Sequence, residues 1–150
     1  MNKTIHELNS LSQAEATDEL IIYDVSEGES KKIQVQNLVG NPYYSTDETF
    51  TGQYWIDGKP IYRKVVDCGA LPNNTSKTVN HNIANIGWIV KYNGMAYDGN
   101  EWLQLPASYY SNSAIGLSVD STVIYLRPYS NRTSYTTTYV VIEYTKATTE

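Results

Sequence analysis

The sequence predicts an all-β protein: an antiparallel β-sandwich or jelly-roll-like knob preceded by a small N-terminal segment that contains a β-hairpin. Three observations carry this. Fourteen tyrosines stand against one phenylalanine, with 15 Thr, 13 Ser and 13 Asn, a strand-and-turn composition far from the Ala/Leu/Glu/Lys bias of helices. From Asp47 onward, about eight short apolar runs follow one another at intervals of roughly 8–12 residues. No credible helical period lies between them, which argues against a parallel sheet with crossover helices.

The elements follow in chain order. Residues 1–40 hold most of the helix-compatible residues and end in Gly40-Asn41-Pro42, strong punctuation that places a boundary there. Within this segment Ser12–Thr17 can form a turn of helix. Glu19–Val25 then reads as a strand, Ser26–Ser30 as a turn, and Lys31–Val35 as a second strand in which Ile33 and Val35 alternate with polar residues, together a hairpin. A unit of about 40 residues without disulfide or metal rarely buries enough surface to fold alone, so the hairpin's apolar groups need a cover, supplied either by the rest of the chain or by a partner protein. Residues 41–46 read as a linker and 47–150 as the knob.

In the knob, Gln53–Ile56 and Ile61–Val66 flank Asp57-Gly58-Lys59-Pro60, the usual Asp-Gly hairpin signal. Leu71–Thr75 is a loop, Thr78–Ile83 alternates, and Trp88–Tyr92 is the most apolar run, broken by Asn93-Gly94. Trp102–Leu105 stops at Pro106, and Ala114–Val119 connects through Asp120-Ser121 to Thr122–Leu126. The last run, Tyr135–Thr145, is apolar on both faces over Tyr139–Tyr144, as expected of a strand in a sheet centre or one covered by a neighbouring chain. No internal repeat or heptad pattern suggests a propeller, solenoid or long shaft.

Charge narrows the partners. With 11 Lys plus Arg against 16 Asp plus Glu, no basic cluster supplies the counterion release that drives nucleic-acid binding. No run approaches the roughly 20 apolar residues of a membrane helix, and the N-terminus lacks the apolar core of a signal peptide. Membrane insertion and nucleic acid are therefore not expected.

Catalysis has little to work with. A single Cys68 and two histidines, His6 and His81, lack zinc spacing, and Cys68 beside an apolar strand reads as a small buried hydrophobe rather than a nucleophile. Asp57, Asp67, Asp98 and Glu101 lie near aromatics that could bracket a sugar, but Asp57-Gly58 and Asp98-Gly99 are explained by turn formation. We expect no enzyme activity, cofactor or metal. The aromatic enrichment is the remaining functional hint, because Tyr and Trp supply large amphipathic contact area at low entropic cost. Tyr92, Tyr97, Trp102, Tyr109 and Tyr110 are the candidates; Tyr109-Tyr110 stands out because adjacent residues in an extended segment point opposite ways.

Two stretches carry a resemblance. Gly52-Gln53-Tyr54-Trp55-Ile56-Asp57-Gly58-Lys59-Pro60-Ile61-Tyr62-Arg63-Lys64 resembles a Trp-Ile-Asp-Gly-Lys-Pro-Ile/Leu-Tyr-x-Lys motif of bacteriophage fibre and tail-associated proteins. There, as here, it is followed by a loop like Leu71–Thr75, a stretch like Val79–Ile86, and an Arg-Ser/Thr-x-Tyr strand like Arg132–Tyr135 with Tyr139–Lys146. This likeness spans roughly residues 47–150, and the front segment resembles the attachment region of such proteins.

The resemblance implies a virion-exposed structural protein, a homotrimer whose front binds capsid or tail proteins and whose β domain faces outward. No catalytic residue carries over. On this reading Leu20, Ile22, Tyr23, Ile33, Val35 and Leu38 are the virion anchor. Tyr97, Trp102, Tyr109 and Tyr110 are the surface-contact residues, facing a host glycan or protein. Without shaft-forming sequence, a short head fibre or decoration protein is preferred to a tail-fibre or baseplate tip; a free carbohydrate-binding module is the alternative of another class.

Overall fold

A computed structural model describes residues 18–35, 43–108 and 114–147. Residues 36–42, with the expected boundary at Gly40 and the anchor candidate Leu38, lie outside them, as do the Ser12–Thr17 turn and the Tyr109-Tyr110 pair.

Among the described residues ten strands form three antiparallel sheets. Strands β1 (Glu19–Asp24) and β2 (Glu29–Gln34) make the expected hairpin as a separate two-stranded sheet. The others are β3 (Thr49–Tyr54), β4 (Pro60–Asp67), β5 (Lys77–Asn80), β6 (Ile86–Tyr97), β7 (Trp102–Leu105), β8 (Ile115–Val119), β9 (Val123–Pro128) and β10 (Thr137–Lys146). They divide into a five-stranded sheet ordered β3-β4-β10-β6-β7 and a three-stranded sheet ordered β5-β9-β8. The fold is all-β and sandwich-like.

Local chemistry accounts for the hairpins. At the β3-β4 turn the Trp55 amide donates to Lys59 O at 2.8 Å, the Asp57 carboxylate accepts the Lys59 amide at 3.1 Å, and Gly58 takes φ of +79°, open to glycine without strain. β3 starts earlier than the Gln53–Ile56 reading, at Thr49, and its register with β4 shifts between Phe50 and Tyr54, where Gly52 has φ of +81°. The β8-β9 turn is held by Asp120, whose Oδ1 accepts the amides of Thr122 and Val123, both at 2.8 Å.

The expected break at Asn93-Gly94 does not occur; β6 runs unbroken through it. Gly94 is there for close approach rather than for a turn. A Cβ on it would lie 3.0 Å from Tyr139 O, 3.1 Å from Val140 Cγ2 and 3.4 Å from Leu105 Cβ, so a side chain there would press on its neighbours by a few tenths of an ångström.

β10 lies between β4 and β6, the sheet-centre position its two apolar faces imply. Thr138, Val140, Ile142 and Tyr144 point inward and are fully buried. With Val66, Ala96 and Leu105 of the same sheet they share one core with Ile115, Leu117, Ile124 and Leu126 of the three-stranded sheet. No residue of the β1-β2 hairpin belongs to this core.

Candidate functional site

The outer face of the five-stranded sheet, opposite the core, collects the exposed aromatics. Register fixes its rows: Trp102, Tyr97 and Thr137 lie side by side on β7, β6 and β10, and the next row holds Gln104, Met95, Tyr139 and Asp67. Because side chains alternate along a strand, all of these project to one side. Tyr97 and Trp102, both anticipated as contact residues, are directly paired across β6-β7, and their rings stack at 4.2 Å with an interplanar angle of 21°.

The stack is held from below. The Tyr97 hydroxyl donates to Gly99 O at 2.8 Å, and Asp98 Oδ1 accepts the amides of Asn100 and Glu101, both at 2.8 Å. Those two amides keep the Asp98 carboxyl below its usual range, with Glu101 contributing most. Trp102 nevertheless stays 66% exposed, so one face of its indole rests on a fixed ring while much of the side chain meets solvent. Met95 and Tyr139, 41% and 43% exposed, extend the apolar strip. These two were missed in the sequence; Met95 shares Tyr97's parity on β6, and that alternation was the available signal. Tyr92 has the opposite parity and belongs to the other face of β6, paired with Ile142 rather than joined to the strip.

At the far side of this face Arg63 and Glu143 form an ion pair at 3.0 Å, both largely buried, and the Arg63 guanidinium stacks over Tyr44 at 4.6 Å. The Arg63 and Glu143 charges satisfy each other here, and the aromatic strip is the more open part of the face.

The hairpin forms a second candidate surface. Leu20 is paired with Ile33 and Ile22 with Lys31, so Leu20, Ile22 and Ile33 share a face, and Val35 follows by alternation. Tyr23, grouped with them from the sequence, lies on the opposite face beside Ile21. That opposite face is the more open one, with Ile21 83% and Tyr23 65% exposed. Its Ile21 was absent from the anchor candidates.

The acid, thiol and imidazole groups each have a structural role. Asp67 Oδ1 accepts the Gly69 amide at 2.8 Å, and Glu101 accepts the Tyr135 hydroxyl at 2.6 Å, which with burial pushes the phenol up to about 12. Cys68 is buried, its thiol raised to about 11 by loss of solvent. Among the described residues no group of three or more His, Cys, Asp or Glu side chains could hold a metal ion, and no helix is long and apolar enough to cross a membrane.

His81 is buried with both ring nitrogens engaged: the Ile83 amide donates to Nδ1 at 3.1 Å, so Nε2 carries the proton and faces Asp120 O at 3.2 Å. Burial holds its pKa below the ordinary 6.5, and a second ring proton would meet the Ile83 N–H. The unfolded chain takes up this proton at higher pH than the native state does. Stability is therefore complete above the ordinary histidine pKa and is lost as pH falls below it. Urea midpoints are expected to drop between about pH 7 and pH 5, and His81→Gln is expected to flatten that slope. An unchanged slope in the variant would assign it to other groups.

No protein family, curated protein or solved structure matches this chain.

Proposed function

We propose that this chain is a structural bacteriophage virion protein, a short trimeric head fibre or decoration protein seated through its N-terminal segment and displaying the sandwich outward. The observation that carries the reading is the β1-β2 hairpin: Ile21 and Tyr23 are 83% and 65% exposed, and the core is assembled without any hairpin residue. A short two-stranded ribbon is marginal by itself in water, so apolar groups left open on it favour a seat in a larger assembly. The motif around Trp55–Tyr62 supports the virion reading. Trimerisation has a physical motive, since closing copies around an axis covers edge strands and open apolar faces.

Two measurements test it. Immunogold labelling of particles with an antibody to the chain should mark the virion surface, and light scattering should give three times the 16.9 kDa protomer mass. A monomeric mass would count against the trimer, and unlabelled particles against the virion assignment.

The Tyr97-Trp102 strip supports a host-contact role for the displayed face, through a glycan or a protein surface. Trp102→Ala is expected to change folding stability by less than about 1.5 kcal/mol, because the side chain is largely exposed and loses mainly its stacking on Tyr97. Retention of the labelled chain on host cells should fall about tenfold or more, as for loss of an aromatic anchor. Undiminished retention would remove this face from the contact. Selective binding to a glycan array by a chain that never joins particles would favour the free carbohydrate-binding module instead.

A further inference from the structure

The hairpin's two strands differ in a way that its role as an attachment segment does not by itself require. β1 reads Glu-Leu-Ile-Ile-Tyr-Asp, four consecutive apolar residues occupying both faces, the pattern of a strand flanked on both sides within a sheet. β2 reads Glu-Ser-Lys-Lys-Ile-Gln, and its two lysines are the usual protection of a strand that ends a sheet. Yet among the described residues the sheet has only these two members, and in it β1 stands at an edge.

The backbone shows which groups that edge offers. The Val35 amide donates to Asp18 O at 2.8 Å, which makes Asp18 and Val35 a hydrogen-bonded pair and, by antiparallel alternation, turns the N–H and C=O of Leu20 and Ile22 toward β2. Those of Ile21 and Tyr23 face away, toward the open edge. Three of the four edges of the larger sheets are blunted by comparison. β3 carries a register shift, and β5 and β7 are four residues long.

Charge says what fits there. Residues 18–35 hold five carboxylates against two ammonium groups, and Lys31 alone is shared among Asp24, Glu27 and Glu29 at 3.1, 2.5 and 3.7 Å. The turn end of β1 is left with excess negative charge. Building on the attachment reading, we infer that β1 is completed by strand addition: a partner protein supplies an extended segment, apolar at its centre and bearing Lys or Arg at the end that meets the turn. Main-chain bonds to Ile21 and Tyr23 provide the affinity, and the acidic turn selects the segment and its direction.

The test is amide hydrogen exchange in the full chain, followed by NMR, with a synthetic six-residue peptide of Val, Ile and Thr flanked by lysines. A second peptide has glutamates in place of the lysines. With the lysine peptide at saturation, the Ile21 and Tyr23 amides should slow about tenfold or more, while those of Leu20 and Ile22, already bonded to β2, change little. The glutamate peptide should give no protection. Ile21→Pro removes an edge donor but no bond to β2, and should weaken the lysine peptide about tenfold. Should that variant unfold the hairpin, a lysine peptide N-methylated along one edge replaces it and must fail to protect.

Equal protection by both peptides, or none by either, overturns the inference. Protection of Ile21 and Tyr23 without peptide also overturns it: if independent of chain concentration it assigns the edge to this chain's own residues, and if rising with concentration, to a second copy. Particle incorporation is read separately. Incorporation that needs the hairpin, without edge protection by the lysine peptide, overturns strand addition but keeps the attachment reading; incorporation without the hairpin overturns the attachment reading itself.

Discussion

Removal of residues 1–40 is expected to leave a folded, soluble sandwich that no longer joins particles. The stability half follows from the core, whose members run from Val66 to Tyr144 and include nothing from the hairpin, and from the sheets, neither of which is hydrogen-bonded to it. Among the described residues, truncation removes no buried apolar side chain of that core, and the urea midpoint is expected to correspond to a loss of less than about 1 kcal/mol. The incorporation half follows from the exposed hairpin surface, which leaves with the segment. Truncated chains recovered in purified particles at the wild-type level would defeat the anchor assignment. An insoluble truncation product would show instead that the hairpin covers part of the sandwich.

Ile142→Ala is expected to cause a large loss of stability. Ile142 is fully buried in the middle of the central strand, between Lys64 of β4 and Tyr92 of β6, and its side chain belongs to the core that the two sheets share. Truncation to alanine forfeits the transfer free energy of the lost carbons and leaves a cavity that flanking strands on both sides keep from collapsing, a cost of about 2–5 kcal/mol. Val141→Ala, one residue away on the outer face, should cost under about 1.5 kcal/mol. Urea unfolding at unchanged slope measures both. Equal costs at the two positions would mean that the inward and outward faces of β10 are wrongly assigned.

The sequence was most legible where structure is local. Asp57-Gly58 named its hairpin because the three-residue loop between Trp55 and Lys59 needs one positive φ, which Gly58 adopts without strain, and the Asp120 turn carries its own side-chain acceptor. The same logic misled at Asn93-Gly94, where the requirement on glycine comes from Tyr139 and Val140, some 45 residues further on in the chain. Long-range partners such as Tyr144 with Glu48, 96 residues apart, leave no periodic trace. Of the candidate contact residues, Tyr97 and Trp102 were readable as aromatics. That they form one stack depends on a register that only the pairing of β6 with β7 supplies. Among the anchor candidates, strand parity puts Tyr23 on the opposite face of the hairpin from Leu20 and Ile22, beside Ile21.

The place of β10 has a consequence for biogenesis. The strand that joins β3-β4 to β6-β7 is the last of the ten to be synthesised, so on the ribosome the larger sheet exists as two unjoined halves until about residue 146 has left the exit tunnel. Each half meanwhile presents an unsatisfied margin to solvent, which makes nascent and prematurely terminated chains the aggregation-prone species of this protein. Chaperone demand should therefore peak just before β10 emerges, and a stop codon only a few positions before β10 should be far more damaging than the loss of the entire N-terminal hairpin.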